Sequence, residues 1–234
     1  GTETIPKVNK IFGPGNQYVT MAKMLVTRHG VAIDMPAGPS EVMVVADESA
    51  NASFIASDLL SQCEHGADSQ SILLCSSKKR IEEVAVEVKK QLDQLPRKDL
   101  ASKSLAHSKL VYLENEVDMI DLMNLYAPEH LILSVKNPGE MSKKVVNAGS
   151  VFLGHYTPES AGDYASGTNH TLPTNGYATA YSGVSLDSFV RKVTFQEITC
   201  EGLDLIGLAI ETMASAEELD AHKMAVSIRR KNNL

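Results

Sequence analysis

Adjacent Glu129 and His130, in the string Ala127-Pro128-Glu129-His130-Leu131, set two titratable groups at the entry to a short apolar run. An imidazole can take or give a proton near neutral pH, and a carboxylate can activate water, so the pair is equipped for acid–base chemistry. Successive strand residues point to opposite faces, so the two serve one crevice only if the backbone is irregular there, and on spacing alone a purely structural pair is the plainer reading. A second group, Ser61-Gln62-Cys63-Glu64-His65-Gly66, closes a helical stretch. Gln62 and His65 are three residues apart and share a helix face, with Gly66 placed as the stop. An amide oxygen and an imidazole there can both ligate a metal, although an ordinary helix end is the plainer reading of the same letters.

Asp163 and His170 fall in the run Ser160-Ala161-Gly162-Asp163-Tyr164-Ala165-Ser166-Gly167-Thr168-Asn169-His170, rich in Gly and polar residues. Such a loop rarely serves packing, so here a carboxylate and an imidazole point to a ligand. Glu217 and His222, five apart near the end of the chain, are only loosely co-facial on a helix, and a solvated surface is the plainer reading. Phe12-Gly13-Pro14-Gly15-Asn16 could approach a phosphate or ribose through its glycines, although no GxGxxG fingerprint follows a strand. The related turn Met35–Glu41 precedes the first clear strand and could position Ser40 towards a ligand.

These residues need a scaffold, and the chain alternates short β-rich runs with helical patterns. Strands are predicted at Glu41–Asp47, Gln70–Ser76, Lys109–Glu114, His130–Val135 and Ser150–Gly154. Helices are predicted at Ser53–His65, Arg80–Leu95, Val117–Tyr126 and Pro138–Ala148, the second with a stripe of Ile81, Val84, Val86, Val88 and Leu92. Helices return the chain for parallel pairing, so the fold class is α/β: an incomplete Rossmann-like, mostly parallel sheet flanked by helices. From Thr157 to Ser182 the chain reads as a long loop, and beyond it come helical segments at Ser185–Val190, Gly202–Met213 and Ala216–Arg230 that form a helical C-terminal tail.

With 234 residues the chain can bury a sizeable core. A net charge of -7 argues against nucleic acid and acidic membranes as partners. Three cysteines, odd in number and widely spaced, fit thiols in a reducing compartment, so the cytoplasm or an organelle matrix is the expected location and all three are expected to pack. Gly1-Thr2-Glu3-Thr4-Ile5-Pro6 reads like a connecting segment, and something N-terminal to it is expected to be missing.

Taken together, the strings KIFGPGN (Lys10–Asn16), AIDMPAGPSEV (Ala32–Val42), ASDLLSQCEHGADSQ (Ala56–Gln70), YAPEHL (Tyr126–Leu131), AGSVFLG (Ala148–Gly154), the loop Thr157–Thr174 and LDAHKMAVSIR (Leu219–Arg229) resemble the histidinol dehydrogenase family, in family order. The resemblance implies a four-electron oxidation of L-histidinol to L-histidine through the aldehyde, with two NAD molecules used in succession and one zinc per site. It places the metal ligands on Gln62, His65, Asp163 and His222, and the acid–base pair on Glu129 and His130. Substrate contacts fall on Ser40, His130, His170 and Glu217 as well as on the ligands, and a cofactor contact falls on Asn16.

The same resemblance implies a homodimer in which C-terminal residues, His222 and Glu217 among them, complete the partner's site. It also implies that this is the C-terminal half, with 1–40 the end of an incomplete cofactor-side domain, 41–183 the substrate and zinc domain, and 184–234 the helical dimerisation tail. Two other readings stand beside it: a zinc-dependent hydrolase or a dehydrogenase of another amino alcohol on the same site, and a non-catalytic fragment.

Overall fold

The structure, a computed structural model, describes residues 1–231. They divide into two compact units, Gly1–Phe189 and a second beginning at Val190.

The first unit is built on β3 (Glu41–Ala46), β4 (Gln70–Cys75), β5 (Lys109–Tyr112), β6 (His130–Ser134) and β7 (Ser150–Leu153), after a small pair, β1 (Lys10–Ile11) with β2 (Ala32–Ile33). The five strands form one parallel sheet in the order β5-β4-β3-β6-β7. Every residue of β3, from Glu41 to Ala46, is buried. That run alternates between two cores: Val42, Val44 and Ala46 face one layer, Met43 and Val45 the other. A strand apolar on both faces needs helices on both sides, as parallel sheets require. On the first face lie Ile55 and Leu59 of α2 (Ala52–Cys63) and Val84 of α3 (Lys78–Leu92). On the second lie Met119 and Met123 of α5 (Glu116–Tyr126) and Met141 of α6 (Pro138–Ser142). The strand–helix alternation thus yields the α/β sheet it predicts, each strand one or two residues shorter than expected.

Other expectations need correction. In α3 the buried face is Ile81, Val84 and Val88, while Val86 lies 64% exposed on the opposite side, since only the i, i+3, i+7 positions share a face. The helix beginning at Pro138 stops at Ser142. Gly66 does not end α2; Glu64 does, in an ordinary helical conformation. The long loop holds structure of its own, α7 (Glu159–Tyr164) and a 3₁₀ turn at Tyr177–Thr179. Ser185–Val190 is a 3₁₀ turn, Leu186–Phe189. Two helices escape the sequence pattern, α1 (Gln17–Val26) and α4 (Lys98–Leu105), both with largely exposed residues.

The second unit contains α8 (Cys200–Ala216) and α9 (Asp220–Lys231), packed antiparallel through a turn in which Glu218 takes a left-handed conformation (φ 58°). Glu211 ties the pair, accepting from the Ser227 hydroxyl at 2.8 Å and from the Arg230 guanidinium at 3.1 Å. Cys63 and Cys75 are buried; Cys200, at the start of α8, is exposed and not the packing residue its apolar character implies. Among the described residues no helix is long and apolar enough to cross a membrane.

Candidate functional site

Ser40 and Glu129 stand immediately before β3 and β6, and His130 opens β6, so the candidate site gathers at the N-terminal edge of the sheet. Doubly wound sheets ordinarily bind ligands beyond the carboxyl ends of their strands. Here the opposite edge carries the reactive groups.

The irregular backbone needed to bring Glu129 and His130 to one crevice is present. Ala127 caps α5 in a left-handed conformation (φ 52°), its N–H donating to the Met123 carbonyl at 3.0 Å. Such a conformation is costly for a residue with a side chain, and here it turns the chain sharply ahead of Pro128. Glu129 then lies one residue outside β6. Gly149 packs against this turn: its N–H donates to the Pro128 carbonyl, the Ser150 N–H donates to the Glu129 carbonyl, and a Cβ on Gly149 would lie 2.6 Å from that carbonyl oxygen.

The cavity, about 240 Å³, is lined by Ser40, Gln62, His65, Glu129, His130, Asp163 and His170, together with Pro14, Gly15 and Thr174. Gln62, Glu129 and His130 are buried at its floor, and His65 and His170 are exposed at its rim. His130 Nδ1 is 3.1 Å from the Glu41 carbonyl oxygen. A carbonyl only accepts, so Nδ1 carries the proton and Nε2 faces the cavity, buried and without a hydrogen-bond partner. Nε2 lies 3.7 Å from an Asp163 oxygen, and Nδ1 lies 3.6 Å from Glu129 and 3.9 Å from Glu159. Burial alone would lower the imidazole pKa, but Asp163, Glu129 and Glu159 outweigh it and raise it to about 10. The same imidazole, facing Asp163 at 3.7 Å, holds that carboxyl below its usual range.

Two groups that the sequence did not single out shape this floor. Glu41, raised to about 7 chiefly by burial, gives its N–H to Glu129 at 2.8 Å and accepts from the Asn175 N–H at 3.0 Å. Glu159, also raised to about 7 by burial, accepts from the Ser61 hydroxyl at 2.7 Å, and both its oxygens are 2.8 Å from one end of the Gln62 amide, the end that hydrogen bonding assigns as nitrogen. Its position four residues before Asp163 is the one available signal, legible only once the segment is known to be helical.

Asn16 is the N-cap of α1, its side-chain oxygen accepting from the N–H groups of Tyr18 and Val19, which leaves the amide nitrogen available to a ligand. The glycine-rich turn before it is held by a buried ion pair between Lys23 and Asp34: Lys23 donates to the Gly13 carbonyl, and Asp34 accepts from the Gly13 N–H. Glu217, at the C-cap of α8, and His222, in α9, belong to the second unit and are exposed there.

Gln62, His65 and Asp163 thus present an amide, an imidazole and a carboxylate to one cavity, a donor set that suits zinc. No three His, Cys, Asp or Glu side chains among the described residues are grouped to hold a metal. The donors present fit the ion, with its coordination still to be completed.

The histidinol dehydrogenase family profile matches residues 1–230. The Bacteroides fragilis histidinol dehydrogenase is 65% identical over 229 residues, covering 98% of this chain and 54% of that protein. The chloroplastic histidinol dehydrogenase of Arabidopsis thaliana is 55% identical, over 99% of this chain and 50% of that protein. A crystal structure of histidinol dehydrogenase from Elizabethkingia anophelis superposes with a TM-score of 0.95 at 60% identity, covering 99% of this chain and 54% of that one. The chain spans about half the length of these relatives, and it belongs to the histidinol dehydrogenase family.

Proposed function

We propose that this chain supplies the substrate and metal half of an NAD-dependent oxidation of L-histidinol to L-histidine through L-histidinaldehyde. The observation that carries the reading is the placement of Glu129 and His130, two adjacent residues, on the floor of one cavity with Gln62, His65 and Asp163. His130 accepts the alcohol proton at Nε2 while a hydride leaves the same carbon for the nicotinamide. Glu129 then draws a proton from water attacking the aldehyde; once His130 has released its first proton to solvent, the hydrate gives a hydroxyl proton to Nε2 as its carbon passes the second hydride to a second NAD. Zinc, when bound, supplies a Lewis acid that orients and polarises the substrate and draws the charge of Asp163 from the imidazole, which acts as a base only when neutral.

Gln62, His65, Asp163 and His222 would hold that zinc, with Ser40, His170 and Glu217 contacting the substrate and Asn16 the cofactor. His222 and Glu217 act from the partner subunit of a homodimer, through the helical tail, 184–234. Residues 1–40 belong to the cofactor side and 41–183 to the substrate side, in the cytoplasm or an organelle matrix.

The test is histidinol-dependent NADH formation by the zinc-loaded chain supplemented with the N-terminal half of a relative such as the Bacteroides fragilis protein. Formation of two NADH per histidinol supports the reading. Absence of both NADH and histidinol binding overturns it, and turnover of a different amino alcohol in preference to histidinol replaces the substrate.

A further inference from the structure

Glu159 is 1% exposed, at the start of α7 and one turn before Asp163. A buried carboxylate is costly unless hydrogen-bonded, and the partners of this one are specific. Ser61 donates to it at 2.7 Å, and one end of the Gln62 amide lies 2.8 Å from each of its oxygens; a carboxylate accepts, so hydrogen bonding assigns that end as the nitrogen. An amide has one donor end and one acceptor end, so a neighbour that only accepts decides which way the oxygen points. With its nitrogen on Glu159, Gln62 turns its oxygen to the other side, 3.2 Å from the Glu41 N–H. That N–H makes its shorter bond, 2.8 Å, to Glu129, so its claim on the amide oxygen is weak and a lone pair is left over.

We propose that Glu159 is a positioning residue for cation binding: through the amide nitrogen it locks Gln62 with oxygen, rather than nitrogen, presented as a ligand. The proposal rests on the reading of Gln62 as a zinc ligand. Without the lock the glutamine is two-faced, and its flipped form offers N–H donors that no cation accepts. Glu159 and Asp163 are four residues apart on one short helix, so α7 delivers one ligand directly and orients a second from behind.

Two measurements on the full chain test this. In the metal-free protein the Gln62 side-chain amide should be shifted downfield and protected from solvent exchange; a sharp, freely exchanging amide overturns the proposal even if every variant misfolds. Zinc ion alone is then titrated in competition with a chromophoric chelator. Glu159→Met, similar in size but lacking an acceptor, should weaken zinc about 10–100-fold, the usual range for groups that orient a ligand. Glu159→Gln, which keeps one acceptor oxygen, should recover part of that loss. In a Gln62→Ala background Glu159→Met should have no further effect, because both changes act through one group. Additive losses would make Glu159 a general support and overturn the proposal, as would wild-type affinity in Glu159→Met. If Gln62→Ala itself binds zinc normally, the ligand assignment beneath the proposal falls, a failure distinct from an unlocked amide.

Discussion

The imidazole of His130 and the main-chain carbonyl of Glu41 meet at 3.1 Å, the first residue of β6 bonded to the first residue of the neighbouring strand β3. The bond lies outside the ladder, where His130 pairs with Val42. It fixes the ring's orientation and leaves Nε2 directed at the cavity, so the backbone of one strand selects the tautomer of a side chain on the next.

His130→Asn should therefore remove the base without disturbing the donors around it. Histidinol oxidation by the complemented chain is expected to fall about 10²–10⁴-fold, the usual worth of a positioned acid–base group. Zinc content by atomic absorption should be unchanged. Loss of zinc would place His130 among the ligands.

Gly149→Ala inserts a methyl group 2.6 Å from the Glu129 carbonyl oxygen, a backbone atom with little room to yield. The expected cost is about 1–3 kcal/mol of stability. Activity should fall beyond what the lost stability explains, since the displaced segment is the one that aims Glu129. A variant with wild-type urea midpoint and turnover would show that the close approach is not needed.

Asp34→Asn leaves Lys23 buried opposite a neutral group and should destabilise the first unit by about 3–5 kcal/mol. Replacing both, as Lys23→Met with Asp34→Leu, should cost less than the single change, because no unpaired charge remains. Chemical denaturation of the three proteins decides the order.

The same pair sets a pH dependence. Burial works to raise the Asp34 carboxyl, but Lys23 and the N–H groups of Gly13 and Met35 outweigh it and hold the carboxyl below its ordinary value. The unfolded chain then binds more protons than the folded one, so this stabilisation is present above about pH 4, the unfolded value, and is lost as pH falls through the lower folded value. Urea midpoints measured from pH 7 to pH 3 should fall at the acid end. The fall should be shallower in the double variant lacking the pair; identical slopes would assign it to other carboxylates.

Removing the metal should leave the sheet standing. Both cores are apolar and contain none of Gln62, His65 or Asp163. Far-UV circular dichroism should be unchanged by a chelator, while zinc at a hundred times its Kd should add about 2.7 kcal/mol of stability. Unfolding on chelation would make zinc a structural element.

The parallel sheet was legible because its strands are short, apolar on both faces and separated by amphipathic helices, a pattern that local periodicity reports directly. Helices α1 and α4 were not, since each lacks a clear apolar stripe: α1 buries only Lys23, and α4 only Ala101 and Ser104. Glu159 shows the harder limit. Among Pro158, Ser160 and Gly162 a single glutamate reads as a solvated loop residue, and nothing local marks it as buried. The residue strings alone determined the family resemblance, the α/β class and the identities of the reactive side chains, because those follow from residue type and order. Only the tertiary structure decided that Glu129 and His130 share one floor, that the His130 Nδ1 proton rests on the Glu41 carbonyl, and that the Gln62 amide abuts Glu159. Such placements depend on contacts like His130 with Glu41, 89 residues apart, and Ser61 with Glu159, 98 residues apart, across a sheet whose strand order no local pattern encodes.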